Sequence, residues 1–148
     1  MNILAIDPGK HYHYYSSWHN SKLMEYGKID RNKLETIKTL MEGHDLIYIE
    51  DQYISPKRLK RPGDIIALIR ASSELLTIAK LLKKPVSTVS PRKWQSAVLK
   101  AGKIDRKEIK RLSREVASKI AENKITNHNI ADAICIGLYV THILQLHA

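Results

Sequence analysis

Cysteine is nearly absent from this 148-residue chain: Cys135 stands alone, which excludes an intrachain disulfide and points to a reducing compartment. No run of about eighteen apolar residues occurs, so no segment reads as a membrane-spanning helix. Repeats, low-complexity tracts and long linkers are missing, and the length suits a single domain over residues 1–148. Met1-Asn2-Ile3 leads straight into an apolar strand, without the charged region of a secretory signal, so a cytoplasmic protein is expected. A zinc site is not indicated, because His11 and His13 have no Cys or carboxylate partner at ligand spacing. Acidic residues are also scarce: 15 Asp and Glu stand against 25 Lys and Arg, for a formal charge of +10. Such a surface favours a polyanion, nucleic acid first, over a membrane, for which no isolated basic amphipathic segment is present.

What is present reads as alternating strands and helices. Residues 2–7 form a buried strand, and 12–19 and 22–28 an antiparallel hairpin about Asn20-Ser21. Asp30 is placed as a helix N-cap, with Ile29 and Leu34 as a hydrophobic staple, and that helix runs to Glu42 and stops at Gly43. A second apolar strand covers 45–50. A basic loop follows over 55–63, fenced by Pro56 and Pro62. The helix expected over 64–83 is apolar around most of its circumference, with Arg70, Ser73, Glu74, Thr77 and Lys80 on one polar stripe. Residues 85–89 form a short strand, and a brief helix follows Ser90-Pro91. Asp105 and Glu108 make a capping box, stapled by Ile104 and Ile109. The helix they open presents Ile109, Leu112, Val116 and Ile120 to the core, and Lys107, Lys110, Arg111 and Arg114 to solvent. A last helix spans about 127–145. The order β-β-β-α-β-α-β-α-α implies an α/β fold, a mixed sheet flanked by helices.

Three acids are placed unusually. Ile3-Leu4-Ala5-Ile6-Asp7 and Leu46-Ile47-Tyr48-Ile49-Glu50 each end an apolar strand in a carboxylate, and Asp132 lies in the first turns of an apolar helix. Taken singly, each has an ordinary explanation: a turn residue before Pro8-Gly9, a salt-bridged strand end, an acid favoured by the helix dipole. Together they point to one place, since neighbouring parallel strands would bring Asp7 and Glu50 to the same sheet end, where α/β sheets bind ligands. Clustered carboxylates repel and raise one another's pKa values. Two divalent ions about 3.5–4 Å apart relieve the repulsion and form the clamp of many nucleases. Hard oxygen ligands suit Mg²⁺ or Mn²⁺.

At these positions the chain resembles a known family. Ile6-Asp7-Pro8-Gly9, Ile49-Glu50-Asp51-Gln52 and Ala131-Asp132-Ala133-Ile134 resemble the metal-binding motifs of RuvC-type Holliday-junction resolvases, members of the ribonuclease-H-like superfamily. The resemblance covers nearly the whole chain in motif order. It implies a five-stranded mixed sheet, antiparallel hairpin plus parallel strands. It also implies a homodimeric Mg²⁺- or Mn²⁺-dependent endonuclease, with two ions per site and no organic cofactor, that cuts four-way DNA junctions by paired symmetric hydrolysis. Lys107 matches a position where the family carries a basic residue near the scissile phosphate. One departure stands out: where the family has an acid or a histidine three residues before the last aspartate, this chain has Asn129, beside His128. Either can ligate, or neither does, and Asn127–Asn129 are then ordinary N-cap chemistry.

Nucleic-acid contacts are assigned to Lys57, Arg58, Lys60 and Arg61 in the basic loop, and to Arg92, Lys93, Lys103 and Lys107. Trp94 is a candidate for stacking on an unpaired base, or else part of the core. Gln52 and Tyr53 lie near Glu50 as possible substrate contacts. Asp51 is left out, because side chains alternate along a strand. Two other functions stay open: a noncatalytic module binding branched DNA, for which the Asn129 departure leaves room, and a ribonuclease-H-like nuclease acting on structured RNA. A sugar-kinase or actin-type ATPase is set aside, since 148 residues cannot supply its two domains. Cellular or viral origin is open, and a viral protein would act where viral DNA is processed.

Overall fold

A computed structural model describes residues 1–51, 62–100 and 105–144. Strands β1 (Asn2–Asp7), β2 (Tyr12–His19) and β3 (Lys22–Asp30) form an antiparallel meander, and β4 (Leu46–Glu50) and β5 (Val86–Val89) extend it in parallel from β1. The order across the sheet is β3-β2-β1-β4-β5. Helix α1 (Leu34–Glu42) connects β3 to β4, and α2 (Pro62–Leu81) precedes β5. Helices α3 (Pro91–Leu99), α4 (Arg106–Ala121) and α5 (His128–Leu138) follow β5, and α5 runs on into a π-helical stretch, Tyr139–Leu144.

β1 is central and covered on both faces, which is why it reads as one continuous apolar run. Leu4 and Ile6 pack with Ile37 and Met41 of α1 and Leu75 and Ala79 of α2. Ile3 and Ala5 pack on the opposite face with Trp18, Trp94, Ala117, Ile134 and Ile136. Asn20 and Ser21 both adopt left-handed backbone (φ 48° and 66°), the twist a two-residue hairpin turn needs. α5 lies close against the sheet at Gly137, where an added Cβ would stand 1.9 Å from Trp18 Nε1. A polar seam runs through the contact: Trp18 Nε1–H donates to Ser16 Oγ (2.8 Å), and the Ser16 hydroxyl donates to the Ala133 carbonyl (2.6 Å).

Several expectations are corrected. Asp30 ends β3 instead of capping α1: its Oδ1 accepts the Asn32 N–H at 2.8 Å and its carbonyl accepts the Lys33 N–H at 3.1 Å. This local turn satisfies the acid before the helix begins, and α1 starts at Leu34 without a side-chain cap. α2 stops at Leu81 because Lys83 turns left-handed (φ 56°), with Lys84 N–H on the Ala79 carbonyl and Lys83 N–H on that of Lys80. Asp105 does cap α4, accepting the Glu108 N–H at 2.8 Å, but the Glu108 carboxylate turns to Arg111. On α4, Ile109, Leu112 and Val116 pack against the core as expected, the fully buried positions are the small Ser113 and Ala117, and Ile120 is instead 37% exposed. The staple residue Ile104 lies outside the described residues.

Candidate active site

β1 and β4 run side by side, and Ile6 and Ile49 form their last paired row, both packed toward α1 and α2. One residue further, alternation turns Asp7 and Glu50 to the other face, at the carboxyl end of the sheet. Asp132 arrives there from the second turn of α5, whose start is fixed by Asn127: its Oδ1 accepts the N–H groups of Asn129 (2.9 Å) and Ile130 (3.2 Å). Asp7, Glu50 and Asp132 line one cleft of about 860 Å³, joined by His128 and Asn129, by Arg92 and Gln95 of α3, and by Arg106 and Lys110 of α4.

The three acids sit in different surroundings. Asp7 is 7% exposed. Glu50 accepts the Trp94 Nε1–H at 2.6 Å, and Asp132 accepts the Ser113 hydroxyl at 2.6 Å. Burial pushes the Asp132 carboxyl up to about 6, although the Ser113 hydrogen bond and the nearby Lys110 and Arg106 all favour its anion. An acid held this far out of water gains from a cation beside it. Burial, then Lys110, Arg114 and Arg106, hold the His128 imidazole below its ordinary range.

The β1–β2 turn forms one wall through Pro8, Gly9, Lys10, His11 and Tyr12. It can fold this tightly only with glycine, since a Cβ at Gly9 would stand 2.0 Å from the Tyr12 carbonyl oxygen. Behind the turn, the buried His13 accepts the Gly9 N–H through Nδ1 (3.4 Å). Arg31 donates to the Lys10 carbonyl (3.2 Å) and pairs with Glu74 of α2 through Nε (2.8 Å).

Asp7, Glu50, Asp132, His128, Asn129 and Arg92 are therefore brought together. Lys107 and Lys93 are exposed and outside the lining of the cleft. Lys57, Arg58, Lys60, Arg61 and Lys103, with Gln52 and Tyr53, lie outside the described residues. Trp94 is completely buried, so it is not a base-stacking surface. Asp51 does line the cleft: strand alternation ceases to govern it once β4 ends at Glu50. Arg106 and Lys110 were assigned no role or to solvent, yet both enter the lining. Their i,i+4 spacing, continued by Ser113 at i+3, was the available signal.

Among the described residues, no group of three or more His, Cys, Asp or Glu side chains is gathered to hold a single ion unaided. The cleft carries four carboxylates, Asp7, Glu50, Asp51 and Asp132, along its lining. That chemistry suits Mg²⁺ or Mn²⁺, which retain water and take one or two protein carboxylates, with phosphate completing the shell.

The sheet order and helix placement are those of the ribonuclease-H-like fold. The chain belongs to the family described as Lactococcus phage M3 protein, whose model matches residues 26–142. Its fold is similar to that of Thermus thermophilus RuvC in complex with Holliday junction substrate (TM-score 0.70, 16% identity, covering 99% of this chain and 95% of that one). It is similar also to Fowlpox virus resolvase in complex with Holliday junction DNA (TM-score 0.60, 19% identity, 97% and 99% covered). A third likeness is to the yeast mitochondrial Holliday junction resolvase Ydc2 (TM-score 0.60, 15% identity, 98% and 82% covered). No curated protein matches the chain by sequence.

Proposed function

We propose that this protein is a divalent-metal-dependent endonuclease that resolves four-way DNA junctions, acting as a homodimer of single-domain subunits. The observation that carries the reading is the meeting of Asp7, Glu50 and Asp132 in one cleft, beside Arg92, Arg106 and Lys110. Carboxylates alone would repel a phosphodiester; flanking cations and bound metal reverse that field. The resolvases that share the fold support the choice of substrate, and the phage family supports a role in viral DNA processing.

Asp7, Glu50 and Asp132 would hold the ions, with Asn129 or His128 as further donors. Bound Mg²⁺ or Mn²⁺ would supply Lewis-acid activation of water and stabilise the leaving oxygen in phosphodiester hydrolysis. Arg106 and Lys110 orient the phosphate, and Lys110 is better placed for this than Lys107, the position the family resemblance indicates. A two-fold dimer would present two such clefts to two strands. Its surface is assigned to α2, where Ile66 and Ile69 are 49% and 40% exposed.

The decisive experiment presents labelled four-way, Y-shaped and linear DNA to the purified protein, with and without Mg²⁺ or Mn²⁺. Paired nicks in the four-way junction are expected, abolished in Asp7→Asn, Glu50→Gln and Asp132→Asn while junction binding persists. Retardation of the junction without metal-dependent cutting would instead identify a noncatalytic binding module. Preferential cutting of structured RNA would reassign the substrate.

A further inference from the structure

We infer that Trp94 and Ser113 are positioning residues, each holding one carboxylate oxygen of a metal-binding acid, Glu50 and Asp132 respectively, from the buried side of the cleft. The inference rests on the metal-dependent reading above and concerns how the acids are kept ready for the ions.

The two contacts share a design. Trp94 Nε1–H donates to Glu50 Oε2 at 2.6 Å, and Ser113 Oγ–H donates to Asp132 Oδ1 at 2.6 Å. Both donors are 0% exposed, so water does not compete for either bond. Both are neutral. A lysine or arginine in the same place would bring a competing positive charge to the acid, whereas a neutral donor fixes orientation without adding one. An indole N–H donates only, so it can neither ligate a metal nor accept a proton. Ser113 is itself held from behind, since Cys135 Sγ–H donates to its carbonyl at 3.7 Å.

The supports also come from different elements than the acids. Glu50 ends β4 and is held from α3, while Asp132 lies on α5 and is held from α4. The packing of α3 and α4 thus sets the angle at which each carboxylate meets the cleft. Trp18 offers a contrast within the same core. It is buried too, but it gives its N–H to the hydroxyl of Ser16. A buried indole always needs a partner, and in Trp94 that partner is a candidate metal ligand.

The test compares Trp94→Phe and Ser113→Ala with the parent and with Trp18→Phe, which loses a buried indole of purely structural role. Mn²⁺ binding is measured on the DNA-free protein by electron paramagnetic resonance, together with thermal unfolding and with nicking of a four-way junction across a Mn²⁺ titration. The expected result is Mn²⁺ affinity weakened about 10–100-fold in Trp94→Phe and Ser113→Ala. Nicking should be shifted to correspondingly higher metal and largely recovered at saturation, with Trp18→Phe less stable but unshifted. If Trp94→Phe fails to fold, replacement of Trp94 by 3-benzothienylalanine keeps the ring shape and removes only the donor. Parent-like Mn²⁺ affinity in both variants, with loss confined to stability, would overturn the inference. A parent that binds Mn²⁺ in the cleft but cuts no branched DNA would sink the proposed activity, while the affinity shifts still decide the positioning role. A parent whose Mn²⁺ binding matches that of Asp7→Asn would overturn both.

Discussion

His13 shows how much one buried side chain sets conditions for its surroundings. Burial, with Arg31 nearby, lowers its pKa to about 4 against the opposing effect of Glu74. The unfolded chain takes up a proton near pH 6.5 that the folded chain refuses until about pH 4, so stability is full above 6.5 and falls as pH drops through that window. The loss amounts to roughly 3 kcal/mol when complete. Asp132, raised to about 6, has the opposite sign: the folded state binds its proton first, which favours folding as pH falls below 6. Denaturant unfolding from pH 7 to 4, compared between the parent and His13→Gln, isolates the first contribution. The variant should show the shallower acid loss, and equal slopes would remove His13 as its source. At the same scale, Asn129→Asp adds a carboxylate to the cleft lining and should tighten Mn²⁺ binding, read as a larger metal-induced rise in Tm than the parent shows. An unchanged rise, there and in His128→Ala, would leave Asp7, Glu50 and Asp132 to carry the ions alone.

At the scale of elements, α5 is held close against the sheet at Gly137. A methyl at Gly137 would meet Trp18 Nε1 at 1.9 Å and Ser16 Oγ at 2.7 Å, both part of a buried seam. Gly137→Ala should therefore push the helix off the sheet, at a cost of about 1–3 kcal/mol or more. Because Asp132 lies on the same helix, nicking should fall in step with stability; full activity at a lowered Tm would show that the helix accommodates the methyl elsewhere. Strands and most helices were legible in the sequence, since β1 and β4 announce themselves as apolar runs and α4 by its cap at Asp105. The start of α1 was not, because Asp30 had two local hydrogen-bonding options and spacing does not choose between them. On α4, Ile109, Leu112 and Val116 do pack against the core, and the departure is at Ile120. Apolarity marks Ile120, but proximity to α5 selects the smaller Ser113 and Ala117.

For the whole molecule, a formal charge of +10 would make the proposed binding to DNA depend on ionic strength. Junction affinity of Asp7→Asn should fall steeply with NaCl. Adding Arg106→Gln or Lys110→Gln should each reduce the slope of log K against log salt by about 1 if the residue contacts a phosphate. An unaltered slope would place the phosphates elsewhere. Light scattering tests the assigned dimer surface, with Ile66→Glu and Ile69→Glu expected to yield folded monomers. By itself the sequence determined the alternation of strands and helices, the basic character and the three acids, because periodicity, charge and a carboxylate at the end of an apolar run are local properties. Only the tertiary structure decided which further groups meet those acids. Trp94 and Ser113 reach two of the acids from the buried side, and Arg106 and Lys110 line the cleft, all from helices whose rotation and depth are settled by packing, which depends on residues far apart in the chain.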